Sequence, residues 1–248
     1  MRGVRNWWVL TVAAVAFALT FADTALAQSV TLDLGGGEGL TGRIVQLVLL
    51  VTLLSVAPSI LIMATSFIRI VVVLSLLRTA IGLQQSPPNT VIVSLALFLT
   101  AFIMANPLTK AWNEGVRPMM NDEVTLEVGF ERASAPVAEF MLAHTRPDDL
   151  QMFFDLAKKP PPAAAAETPL TILIPAFMIS ELRRAFEIGF LVFLPFLIID
   201  LVVASLLMSM GMMMLPPVTI SLPFKLIFFV LVDGWRLIVG SLAASYGL

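Results

Sequence analysis

The sequence predicts an all-α integral membrane protein built from kinked or broken apolar helices arranged as hairpins, with a small helical insert. Three observations point there. Hydrophobic residues make up 58% of the 248 positions and charged residues only 13%, about half the charged share of a soluble domain. Mean hydropathy is +0.95, so water cannot cover a surface of normal size, and lipid or close partners must. The apolar residues also fall in long charge-free runs, interrupted by prolines and by one charge-dense stretch.

Taken in order, the chain opens with Arg2 and Arg5, then an apolar run from Trp7 to Ala22. Ala25-Leu-Ala27 follows, the small-x-small pattern of a signal cleavage site before Gln28. Residues 1–27 therefore read as a cleavable signal peptide, with an uncleaved first membrane helix as the alternative. Residues 28–43 are a polar, Gly-rich leader. The run Gly35-Gly-Gly-Glu-Gly39 lacks the Gly-Lys-Ser/Thr that a phosphate loop needs.

Residues 44–109 form a first apolar helical region. Ile44 to Ile68 and Thr90 to Thr109 carry no charge, and a bilayer core takes about 20 such residues. Pro58 predicts a kink, Arg69 interrupts the run, and Pro87-Pro88-Asn89 marks the turn between the two segments.

Residues 110–168 differ in kind. Lys110 to Glu167 holds ten acidic and six basic residues, which predicts a water-exposed insert. Ser134 and Pro136 suggest the start of one helix, Asp148 the start of another, and Lys158-Lys159 its end. His144 in this stretch reads as a surface residue. With the mature N-terminus outside the cytoplasm, the Arg78 to Asn89 turn lies inside and the insert outside, in agreement with the positive-inside tendency.

Residues 169–248 are apolar again, with placed charges and with prolines at 175, 195, 216, 217 and 223. Such punctuation predicts helices broken into hairpins that pack against protein.

The candidate functional residues lie mostly here. Glu181, Arg183, Arg184 and Glu187 sit at i,i+3 and i,i+4 spacings that share a helix face. They read either as self-neutralising pairs that let an apolar helix insert or as an intersubunit contact or gate. Asp200 and Asp233 could suggest a carboxylate dyad. Nothing beside them supplies a second catalytic group, so assembly contacts with Arg183, Arg184 or Arg236 are preferred. Met208, Met210, Met212, Met213 and Met214 crowd around Gly211 just before Pro216-Pro217. Methionine is soft and repacks easily, so a deformable constriction is preferred over a plain helix end.

Several chemistries are excluded by count. The chain has no cysteine and one histidine, which removes thiolate and multi-histidine metal sites. Net charge is -2, against a nucleic-acid footprint. An ion channel would need a polar filter, and an intramembrane protease a paired Asp or Ser/His site. The reading is of a non-enzyme without cofactor or metal.

Longer motifs carry a resemblance. Ala64-Thr-Ser-Phe-Ile-Arg-Ile70, Leu74-Ser-Leu-Leu-Arg78, Gln84-Gln-Ser-Pro-Pro-Asn89 and Ala96-Leu-Phe-Leu-Thr100 resemble the first half of the flagellar biosynthetic protein FliP family. The second half is closer: Ile174-Pro-Ala-Phe-Met-Ile-Ser-Glu-Leu182, Pro195-Phe-Leu-Ile-Ile-Asp-Leu201, Met210-Gly-Met-Met-Met-Leu-Pro-Pro217, Leu222-Pro-Phe-Lys225 and Val232-Asp-Gly-Trp235. Ile68 and Ser86 depart from the common pattern, outside the strongest motifs. The resemblance implies a core subunit of the type III export gate in the bacterial inner membrane, at the flagellar basal body. It implies a homopentamer joined by FliR-like and FliQ-like subunits and other export proteins, with unfolded substrates passing through. It implies a gasket role for the methionine stretch. Arg69, Glu181, Arg183, Arg184, Glu187, Asp200 and Asp233, read from their placement as charges in apolar segments, are the candidate assembly or gating charges.

Overall fold

The computed structural model describes residues 62–83, 85–212 and 215–248, and before them positions 44, 45, 47, 48, 51, 52, 55, 56 and 59. The signal-peptide and leader readings and the kink at Pro58 lie outside the described residues. The chain divides into two compact units, 1–51 and 52–248. In the first, Ile44, Val45, Leu47, Val48 and Val51 are helical with exposed side chains.

The second unit is helical, and no strand occurs among its described residues. Helix α1 (Phe67–Ile81) ends where Gly82 takes a left-handed conformation and the Leu83 N–H donates back to the Arg78 carbonyl at 3.3 Å, the usual way to satisfy a helix end. A turn through Pro87 and Pro88 leads to α2 (Asn89–Ile103) and α3 (Ala105–Ala111). A π turn (Trp112–Val116) and the short α4 (Arg117–Met120) follow. From α2 into α3 and α4 the path bends by 64°. The charge-rich stretch then forms α5 (Leu126–His144) and α6 (Pro147–Ala157). The chain continues through α7 (Leu170–Ser209), α8 (Pro217–Leu231) and α9 (Gly234–Ala244), the last two meeting at 62°.

Helix α7 is the spine, an unbroken run of 40 residues with Pro175 and Pro195 inside it. The expected breaks at these prolines do not occur. Each proline removes one ladder bond, while the bonds on either side and packing against α1, α5, α6 and α8 hold the rod straight enough to continue. The terminator is Gly211, eleven residues past Asp200, whose left-handed φ of 72° closes the helix, with Gly211 N–H on the Met208 carbonyl and Met212 N–H on the Leu207 carbonyl. Pro216 and Pro217 instead open α8, with Pro217 at its first position. In the insert, Ser134 does not cap a helix. It sits inside α5, its hydroxyl donating to the Glu131 carbonyl at 3.0 Å, and Pro136 is likewise internal.

One apolar core joins α1, α2, α5 and α7 through Ile70, Val73, Leu74, Ala96, Phe140 and Phe177. A second joins the end of α1 to α7 and α8 through Leu77, Ile81, Phe196 and Phe229. Gly189 lets α1 and α7 approach closely, since a Cβ there would stand 2.2 Å from the Leu76 side chain.

A helix rises 1.5 Å per residue, so α7 is about 60 Å long, twice a bilayer's hydrocarbon core. Its first third is covered by the insert: Ile172, Leu173, Ala176, Phe177 and Ser180 are buried. Beyond Ala185 it exposes Phe186, Phe190, Leu191, Ile198, Leu201 and Leu206. That apolar two-thirds is the part suited to lipid. Among the described residues α7 alone is long and apolar enough to cross a membrane, or three spans exist if each bent pair counts as one.

Candidate functional site

The deepest polar feature joins α1 to α7. Arg69 and Glu181 are both fully buried. Burying two ions is costly unless each finds a partner and further hydrogen bonds, and here both do. The Arg69 guanidinium faces the carboxylate as a fork, Nε donating to Oε2 at 2.8 Å and Nη2 donating to Oε1. Nη1 donates to the Ser245 hydroxyl at 2.9 Å and to the Ser245 carbonyl at 3.3 Å. The Tyr246 hydroxyl donates to Glu181 Oε2, and the Tyr246 ring lies 3.9 Å from the guanidinium carbon, close enough for cation–π attraction. The knot ties α1, α7 and the segment after α9 together.

This arrangement redistributes the expected helical pairs. Glu181 does not face Arg184, because Arg69 has taken it. Arg183 and Glu187 do pair at 3.2 Å, on an exposed surface where such a bond contributes little. Arg146, at the start of α6, reaches Glu187 at 4.0 Å and Asp148 at 3.9 Å. The backbone N–H of Arg146 donates to Ser180 Oγ at 3.0 Å, and Ser180 Oγ donates to Asp149 Oδ2 at 2.6 Å, so the insert is pinned to α7 by hydrogen bonds as well as by packing. Arg184 is half-buried and has no hydrogen bond or ion pair among the described residues.

A second polar knot joins α7 to α8 and the end of α1. Lys225 is almost fully buried, its Nζ donating to Asp200 Oδ2 at 2.6 Å and to the Ala80 carbonyl at 3.1 Å. Ser221 Oγ donates to Asp200 Oδ1 at 2.6 Å. The expected partners of Asp200, namely Arg183, Arg184 or Arg236, are therefore replaced by Lys225 and Ser221. Asp233 stands exposed at the α8–α9 corner with φ 49°, and no ion pair joins it to Arg236 among the described residues. The adjoining Gly234 is required there, as a Cβ would stand 2.1 Å from the Phe229 ring.

His144 is not a plain surface residue. It is half-buried, with Nδ1 2.8 Å from the Phe140 carbonyl and its ring against Phe140 and Tyr246. Burial lowers its pKa below the usual 6.5, against the pull of the Phe140 carbonyl and Glu181. The unfolded chain then takes up a proton first, so stability is full above about pH 6.5 and declines as pH falls below it. Melting of the purified protein between pH 7.5 and 5 should show a drop that is smaller in His144→Phe; equal slopes for the two would remove His144 from the account.

The methionine stretch caps the far end of α7. Met208, Met210 and Met212 are 61%, 71% and 40% exposed, and Met213 and Met214 lie outside the described residues. The described part thus projects from the fold rather than filling its core. No group of three or more potential metal ligands occurs among the described residues.

Sequence reasoning missed Lys225, Ser221, Ser245 and Tyr246 as members of these knots. Their one sequence signal is a lone polar group in an apolar run, which says that a partner is needed without saying which.

Helical packing, long apolar faces open to lipid, and charges spent on holding helices together define a helical membrane protein organised by buried ion pairs. Residues 50–242 match the model of the FliP family. The flagellar biosynthetic protein FliP of Caulobacter vibrioides is 62% identical over 94% of this chain and 88% of its own length. Those of Bacillus subtilis and Aquifex aeolicus are 55% and 49% identical, covering 82% and 94% of this chain and 91% and 98% of theirs. The chain belongs to the FliP family, which places it in flagellar biosynthesis.

Proposed function

We propose that the chain is a core, non-catalytic subunit of the flagellar type III export gate and forms part of the pore through which unfolded flagellar proteins pass. The observation that carries this reading is the exposure of Met208, Met210 and Met212 at the end of α7, on a chain of this family. A passage for many unfolded sequences needs a lining that is apolar, uncharged and able to mould itself, and Met208, Met210, Met212, Met213 and Met214 supply it. Arg69–Glu181 and Asp200–Lys225 act as the struts that hold the subunit in the shape it assembles with, and Asp233 offers an exposed charge to neighbours.

On this reading the subunit forms a homopentamer with FliR-like and FliQ-like partners in the bacterial inner membrane. The signal peptide (1–27) is removed, the leader (28–43) and the insert (110–168) face outward, and the apolar regions 44–109 and 169–248 build the gate. Affinity purification should recover the partner subunits with this chain, and a strain lacking it should neither export flagellar proteins nor swim. Normal export in that strain would defeat the reading. Processing has its own test: N-terminal sequencing of the purified protein should begin at Gln28, and a start at Met1 would show an additional membrane helix instead.

A further inference from the structure

The half-buried Arg184 opens a question that the two buried knots do not answer. Its helical partner Glu181 is consumed by Arg69, and no other acid replaces it among the described residues. Around it lies a polar cavity of about 520 Å³, lined by Arg69, Arg146, Arg183, Arg184, Glu187 and Ser245. Three of the four guanidinium groups have a carboxylate: Arg69 has Glu181, Arg183 has Glu187 at 3.2 Å, and Arg146 reaches Asp148 at 3.9 Å and Glu187 at 4.0 Å, while Arg184 has none. Arg69 uses four of its five N–H groups on Glu181 and Ser245. The cavity therefore has unspent donors and a surplus of positive charge.

Its position along α7 narrows what it holds. On one side lies the third of the helix covered by the insert. On the other side α7 runs without charge from Ile188 to Ile199, and Phe186, Phe190 and Leu191 are exposed within two turns of the arginines. The cavity thus stands where a water-facing body meets an apolar rod, the level at which phosphate groups of a bilayer lie. Basic pockets at that level, next to lipid-facing side chains, suit anionic headgroups, and arginine binds phosphate oxygens through two parallel N–H bonds.

We propose that this cavity binds the phosphate of an anionic phospholipid, with Arg184 and Arg146 as its main donors and the acyl chains lying along Phe186, Phe190 and Leu191. Glu187 keeps Arg183 occupied at 3.2 Å, Arg146 is held only by contacts of 3.9 and 4.0 Å to Asp148 and Glu187, and Arg184 is left whole for the headgroup. The proposal rests on membrane embedding alone and is independent of the pore.

The test uses the full chain in detergent, titrated with phosphatidylglycerol and, separately, with phosphatidylcholine and with inorganic phosphate. Bound lipid is counted by native mass spectrometry, and the oligomeric state is read from the same spectra. Phosphatidylglycerol should bind at least tenfold more tightly than phosphatidylcholine. Arg184→Gln should remove that preference, and Arg184→Lys should keep part of it. The distant Arg236→Gln should leave it unchanged. Should Arg184→Gln fail to fold, Arg146→Gln, at a partly exposed helix start, serves in its place. Retention of the preference in both Gln variants overturns the site. Displacement of the lipid by millimolar inorganic phosphate assigns the cavity to a dissolved anion and overturns the lipid. Loss of the oligomer with lipid binding unchanged assigns Arg184 to a carboxylate of a second copy, and overturns it as well.

Discussion

Arg69→Met should leave almost no folded protein in the membrane. The substitution fills roughly the same space but strands Glu181 as a fully buried carboxylate, with the Tyr246 hydroxyl as its remaining donor. Breaking a buried pair in this way costs about 3–5 kcal/mol, a large part of the roughly 5–15 kcal/mol that holds a typical protein folded. Ser245 loses its donor as well. The double variant Arg69→Met/Glu181→Met should recover much of the loss, because two apolar groups of similar volume can replace a buried ion pair at little cost. The measurement is the yield and melting temperature of wild type, both single variants and the double. A single Arg69→Met variant that melts like wild type would show that the pair is not structural.

Replacing Met210, Met212 and Met214 with alanine should leave the assembled complex intact and make it leak small ions. Truncating a packed core methionine costs roughly 2–5 kcal/mol, and three such losses would unfold the subunit. Met210 and Met212 are exposed, at 71% and 40%, so the fold loses little when they shorten. What is lost instead is the bulk that closes a passage at rest. Conductance of the reconstituted complex, measured beside its assembly state, separates the two outcomes. A tight and fully assembled variant would defeat the gasket reading, and a variant that fails to fold would return these residues to the core.

The helical class was legible because it depends on local composition. A run without charge or a stretch with sixteen charges announces its solvent whatever it packs against. The prolines misled for the same local reason. Pro175 and Pro195 weaken α7 by one bond each, but a helix held on several sides by α1, α5, α6 and α8 does not break for that. The actual stop, Gly211, lay inside the methionine run, where side-chain chemistry drew attention from backbone conformation. The charge partners were the least legible. Glu181 could meet Arg184 within its own helix, and helical spacing gives no means of knowing that Arg69 would win. That outcome depends on how α1 crosses α7, with Gly189 permitting the approach, and on a tyrosine far along the chain.

The same knot sets a timetable for biosynthesis. Glu181 follows Arg69 by 112 residues and Ser245 follows it by 176. At a synthesis rate of about 5–20 residues per second, the arginine waits roughly 6–22 s for its counter-ion and about 9–35 s for its hydroxyl partner. During that interval α1 carries an unmatched cation and cannot settle into an apolar phase, so the insertion machinery or the headgroup layer must shelter it. The fold locks late, after nearly all of its helices have been delivered.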